Sequence, residues 1–165
     1  MDQAILELSE KLGAALKDRG LMLATAESCT GGWVGQAVTM VPGSSGWFDR
    51  GFVTYSNDAK HEALGVKQET LTKHGAVSEQ AVMEMAQGAL ERSRAQISVA
   101  VSGVAGPDGG TREKPVGTVC IAWAQSGVPV SARRFHFAGD RDAVRRQSVI
   151  AALVGLIEQA RTAGG

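Results

Sequence analysis

Ala24-Thr25-Ala26-Glu27-Ser28-Cys29-Thr30-Gly31-Gly32 marks the point where an apolar run ends and a small-residue helix begins, with Ser28 at the junction. Upstream, Leu21-Met22-Leu23-Ala24 reads as part of a buried strand over 21–26. Downstream, Trp33 to about Val41 has the spacing of a short amphipathic helix with Thr30 or Ser28 as its N-cap. A strand-to-helix turn offers unpaired backbone N–H groups and the positive end of a helix dipole. Those suit a phosphate, or a developing oxyanion if a hydroxyl of the same turn attacks a carbonyl. A helix merely capped by Ser or Thr and packed closely through its glycines would use the same residues, so both readings stay open on this stretch alone.

Before the junction, Ile5, Leu8, Leu12 and Leu16 recur at helical period between Asp2 and Arg19, and Gly20 closes that helix. After it, the breaker-rich loop 41–46 leads to a strand at Gly51-Phe52-Val53-Thr54-Tyr55. Asp58 is the expected N-cap of a short helix carrying Lys60, His61 and Leu64, which puts Lys60 in a first turn where the dipole disfavours a cation. A turn or two of helix follows over 67–75. Ser78 then caps a longer helix to about Arg94, with Val82, Met85, Ala86 and Ala89 inward.

Ile97 to Ser102 reads as a third strand, running into the glycine-rich turn Gly103-Val104-Ala105-Gly106-Pro107-Asp108-Gly109-Gly110-Thr111. Such a turn brings backbone close to a ligand, although it has neither the dinucleotide spacing nor the P-loop ending. Residues 117–123 and 128–137, separated by Gln125-Ser126-Gly127, form an antiparallel hairpin. Asp140 opens a last helix through Arg161, burying Val144, Val149, Leu153 and Ile157. Arg141, Arg145 and Arg146 crowd its start, where cations call for a nearby anion.

This order predicts an α/β sandwich with a mixed sheet, parallel where helices cross over and antiparallel at the hairpin. Ser28, Tyr55 with Lys60, and Ser102 with the glycine turn each follow a strand, so they can converge on the edge where such sheets bind ligands.

The chain has 165 residues, 44% of them hydrophobic, enough for one substantial core, and residues 1–165 read as a single domain. Lys and Arg number 17 against 17 Asp and Glu, which gives no global reason for a nucleic-acid or anionic-membrane partner. Cys29 and Cys120 lack disulfide or zinc spacing, and His61, His74 and His136 lack metal-ligand spacing, so no metal is expected. No run is long and apolar enough to span a bilayer and the N-terminus has no basic signal region, so a soluble cytoplasmic protein is expected.

Four motifs in order, Ala26-Glu27-Ser28-Cys29-Thr30-Gly31-Gly32, Tyr55-Ser56-Asn57-Asp58-Ala59-Lys60, Gly75-Ala76-Val77-Ser78 and Ser102-Gly103-Val104-Ala105-Gly106-Pro107-Asp108-Gly109-Gly110, closely resemble the CinA C-terminal domain family. The resemblance implies a three-layer α/β/α sandwich with a mixed, mostly parallel five-stranded sheet. It also implies amide hydrolysis of nicotinamide mononucleotide (NMN) to nicotinate mononucleotide and ammonia, in pyridine nucleotide recycling; hydrolysis of an amide by a serine needs no metal, so no cofactor is expected. Larger family members place a molybdopterin-binding-like domain first, so a stand-alone version is expected here.

By the same resemblance Ser28 is the nucleophile and Lys60 its base, a Ser–Lys variant of the triad logic that needs a partly neutral lysine. Tyr55 is expected to orient or relay. Thr30, Gly31 and Gly32 would supply oxyanion contacts, and Ser102, Gly103, Gly106, Arg141 and Arg145 would bind the nucleotide. Cys29, a better nucleophile in principle, is expected to pack inward. A non-catalytic nucleotide-binding domain would keep the glycine turns without needing Lys60. An interaction module in DNA uptake or repair should show a basic or apolar patch. A homo-oligomer is compatible with all of these readings.

Overall fold

The computed structural model describes residues 1–163. Its elements in chain order are α1 (Gln3–Arg19), β1 (Leu23–Glu27), α2 (Trp33–Thr39), a 3₁₀ turn (Ser44–Gly46), β2 (Phe48–Val53), α3 (Asn57–Leu64), α4 (Gln68–His74), α5 (Glu79–Glu91), β3 (Ile97–Gly103), β4 (Thr118–Gln125), β5 (Val128–His136) and α6 (Arg141–Thr162). The five strands form one sheet in the order β2-β1-β3-β4-β5. β1 pairs in parallel with β2 and β3, while β4 is antiparallel to both β3 and β5, so four strands share one direction and β4 alone opposes them.

Side chains on the inner strands alternate between two cores. Leu23, Ile97, Val99, Val101, Val119 and Ile121 pack with α1, α2 and α6. Ala24, Ala26, Ala100, Cys120, Ala122 and Ala124 pack with α3, α4 and α5. Large residues thus face one helical layer and small ones the other, which lets α5 lie close to the sheet and gives the expected three-layer α/β/α sandwich. Among the described residues no helix is long and apolar enough to cross a membrane.

Several boundaries differ from expectation. β2 starts at Phe48, opposite Leu23 of β1, and ends at Val53, so Tyr55 lies beyond the sheet. There the chain turns to let the Ser56 side chain, rather than Asp58, accept from Ala59 N–H as the α3 cap. Gly32 occupies the N-cap of α2 without a side-chain cap bond, in place of Ser28 or Thr30. α5 ends at Glu91, short of Arg94. A methyl group on Gly88 would lie 2.0 Å from the Leu64 carbonyl oxygen, so α5 admits the end of α3, the Lys60 helix, only because position 88 has no Cβ.

Candidate active site

The C-terminal ends of β1, β2 and β3 lie side by side, and backbone bonds fix their continuations. Ser28 N–H donates to the Val101 carbonyl at 3.0 Å, and Thr54 N–H donates to the Glu27 carbonyl at 2.8 Å. From α3, Lys60 reaches back across this edge. Its Nζ lies 3.1 Å from Ser28 Oγ, 3.0 Å from the Thr54 carbonyl and 3.4 Å from the Tyr55 carbonyl. The residue is only 1% exposed, and none of the ion pairs among the described residues involves it. Burial pushes the Lys60 ammonium below the usual lysine value, against a weaker opposing pull from Cys29. In the neutral amine, two N–H bonds point to the two carbonyls and the lone pair is left for the Ser28 hydroxyl.

Ser28 and Lys60 open onto a cleft of about 320 Å³, also lined by Cys29, Tyr55, Asn57, Ser102, Asp108, Arg141 and the glycine turn. Its size is at the small-molecule end of ligand pockets. Arg141, in the first turn of α6, bridges the two rims: Nη1 donates to the Gly106 carbonyl at 2.8 Å and Nη2 to the Tyr55 hydroxyl at 3.1 Å. Remaining guanidinium donors are left for a ligand. Among the described residues no protein acceptor takes the backbone N–H of Cys29, Gly106, Gly109 or Gly110. Nor is any group of three or more His, Cys, Asp or Glu side chains placed to hold a metal ion.

Ser28, Lys60, Tyr55, Ser102, Gly103, Gly106 and Arg141 are thus brought together in one cleft; Thr30, Gly31, Gly32 and Arg145 do not line it. Thr30 is fully buried, and its hydroxyl donates to Glu27 Oε1 at 2.6 Å. Gly31 N–H is taken by the Ser28 carbonyl at 3.0 Å, so it is not free to meet an oxyanion. Arg145 donates to the carbonyls of Cys29 and Thr30, both at 3.1 Å, and lies over the Trp33 ring. Cys29 is 6% exposed, and burial pushes its thiol up to about 11, which removes the thiolate at neutral pH.

Glu27 is the residue that sequence reasoning missed. It is 2% exposed, and its carboxylate accepts from Thr30 Oγ1, from Val34 N–H at 2.8 Å and from Gly35 N–H at 3.0 Å. The anion at the start of α2 is therefore the protein's own side chain. The signal was present: a lone acid inside a fully buried strand must find donors nearby.

Fold and cleft together define an α/β/α-sandwich protein with a cleft of small-molecule size at the C-terminal edge of its sheet, where such sheets bind ligands. Residues 5–160 match the family described as CinA C-terminal domain, and the chain belongs to that family. A nicotinamide-nucleotide amidohydrolase PncC of Escherichia coli (strain K12) is 57% identical over 158 residues, covering 96% of each chain. A putative competence-damage inducible protein of Symbiobacterium thermophilum is 54% identical over 154 residues, spanning 88% of this chain and 36% of its own length. The crystal structure of the competence/damage inducible protein CihA from Agrobacterium tumefaciens superposes with a TM-score of 0.93 at 47% identity, covering 96% of each chain.

Proposed function

We propose that this protein is a nicotinamide-nucleotide amidohydrolase that converts NMN and water to nicotinate mononucleotide and ammonia in pyridine nucleotide recycling. The observation that carries the mechanism is the buried Lys60 amine 3.1 Å from the Ser28 hydroxyl with no carboxylate to hold its charge. Ser28 Oγ attacks the carboxamide carbon as Lys60 takes its proton. The Cys29 N–H, adjacent to the nucleophile and without a protein acceptor, receives the oxyanion. Collapse expels ammonia with the proton returned by Lys60, leaving an ester on Ser28. Water, deprotonated by Lys60, cleaves that ester and regenerates the hydroxyl. No step requires a metal.

The nucleotide's ribose and phosphate fall toward the glycine turn, where free N–H groups and Arg141 supply donors and Asp108 suits a ribose hydroxyl. Tyr55 orients Arg141 through its hydroxyl. We read residues 1–165 as one catalytic domain, cytoplasmic, acting on a free nucleotide and not on nucleic acid, in keeping with 17 basic against 17 acidic side chains. Purified protein should release ammonia and nicotinate mononucleotide from NMN in equal amounts, and Ser28→Ala should abolish both. Intact NMN after prolonged incubation with folded protein would refute the assignment and favour the non-catalytic nucleotide-binding reading.

A further inference from the structure

The turn that carries Ser28 is held from two sides. From within, Glu27 ties Thr30, Val34 and Gly35 to the end of β1. From outside, the Nε and Nη2 edge of Arg145, on α6, takes the carbonyls of Cys29 and Thr30. The half-buried guanidinium is further set by the Trp33 ring, 5.5 Å from its centroid, and so bears on the first residue of α2. We infer that Arg145 is a positioning residue for the Ser28 nucleophile, with Glu27 as its inner counterpart, and that it does not bind the substrate's phosphate.

Ser28 itself is bonded through its N–H to Val101 and through its carbonyl to Gly31, but little else than Arg145 fixes the next peptide, between Cys29 and Thr30. Gly31 and Gly32 follow at φ 61° and 108°, and neither has a side chain to pack. Among the described residues, the Cys29 carbonyl accepts from Arg145 alone, while the Thr30 carbonyl also accepts from Trp33 N–H. In a trans peptide the C=O and the following N–H point in opposite directions, so fixing the Cys29 carbonyl also fixes the Thr30 N–H. Without Arg145 the peptide after Cys29 is free to rock, and Ser28 Oγ moves relative to Lys60 Nζ. A displacement near 1 Å at a reacting atom costs on the order of a hundredfold in rate.

This inference rests on Ser28 being the nucleophile, and the experiment separates the two. Arg145→Ala and Arg145→Lys are compared with wild type for kcat and KM on NMN. Each is also tested for the rate at which a small alkyl fluorophosphonate, which has no nucleotide part, labels Ser28 as read by peptide mass. Circular dichroism establishes that each variant is folded, and Arg145→Lys serves where the alanine variant is not. The expected result for Arg145→Ala is a kcat lower by roughly ten- to a hundredfold, KM within about threefold, and labelling slowed by a similar factor. Arg145→Lys, able to reach one carbonyl but not to fork across two, should recover part of both. A tenfold rise in KM with kcat and labelling unchanged would overturn the inference and make Arg145 a phosphate ligand. Failure of wild-type protein to label at Ser28 while it still releases ammonia would instead overturn the Ser28 reading beneath it.

Discussion

Replacing Lys60 with Met keeps the length of the buried stem and removes only the amine, so it tests that group in isolation. Three contacts are lost, to Ser28 Oγ at 3.1 Å, the Thr54 carbonyl at 3.0 Å and the Tyr55 carbonyl at 3.4 Å. A positioned general base contributes roughly 10²- to 10⁴-fold, so kcat/KM on NMN should fall by that factor, about 2.7–5.4 kcal/mol of barrier. Wild-type kcat/KM should rise from acid toward alkaline pH as Lys60 loses its proton, while the residual rate of Lys60→Met should not follow that rise.

Stability should respond with a defined sign. Burial lowers the folded value below the 10.5 of an exposed lysine, so between those values the unfolded chain binds a proton that the native chain does not. Wild-type stability from this group is complete above 10.5 and is lost as pH falls through the folded value. Methionine does not titrate, although it leaves the Thr54 carbonyl without this donor at a cost of about 1–3 kcal/mol. Melting both proteins from pH 6 to 10 should therefore show the wild type gaining on Lys60→Met as pH rises. Parallel stability curves, or a variant retaining more than about a tenth of wild-type kcat/KM, would refute the argument, because general-base loss costs at least about a hundredfold.

Three further outcomes are expected. Cys29→Ala should keep the same order of activity as wild type, since the thiol is buried and its pKa of about 11 leaves it protonated; steady-state ammonia release checks this. Arg141→Ala should raise KM for NMN far more than for nicotinamide riboside, the same compound without its phosphate, because each charge-assisted bond to phosphate is worth about 1.5–3 kcal/mol; equal losses on both compounds would place the phosphate elsewhere. Gly88→Ala, whose new methyl would lie 2.0 Å from the Leu64 carbonyl, should cost about 1–3 kcal/mol in urea unfolding. It should also lower kcat by shifting the helix that carries Lys60.

The layered fold was legible because its cues are local. Gly20 at φ 64° ends α1, Ser78 caps α5, and strand alternation separates Ile97, Val99 and Val101 from Ser98 and Ala100. Much of the cleft was legible too, since Ser28 immediately follows β1, and Ser102 lies at the end of β3 where it runs into the glycine turn, on strands that the crossovers bring side by side. Two kinds of interaction were hidden. Glu27 caps α2 from seven residues before Val34, outside the window in which Ser28 or Thr30 would be sought as caps. Arg145 meets the Thr30 carbonyl from 115 residues away, and a basic residue near a helix start looks the same in sequence whether it holds a carbonyl or a phosphate. Tyr55 was placed in a strand because aromatic residues favour sheets, whereas β2 releases the chain after Val53 so that Ser56 can cap α3.

Whether Ser28 carries the acyl group can be read most directly by acid quenching of the reaction with NMN before one turnover is complete, followed by peptide mass mapping. A peptide containing Ser28 should be heavier by the nucleotide less ammonia, with the adduct disappearing as nicotinate mononucleotide accumulates and never forming in Ser28→Ala. Ammonia release at the wild-type rate from Ser28→Ala, or the adduct found on Cys29, would contradict Ser28 as the nucleophile.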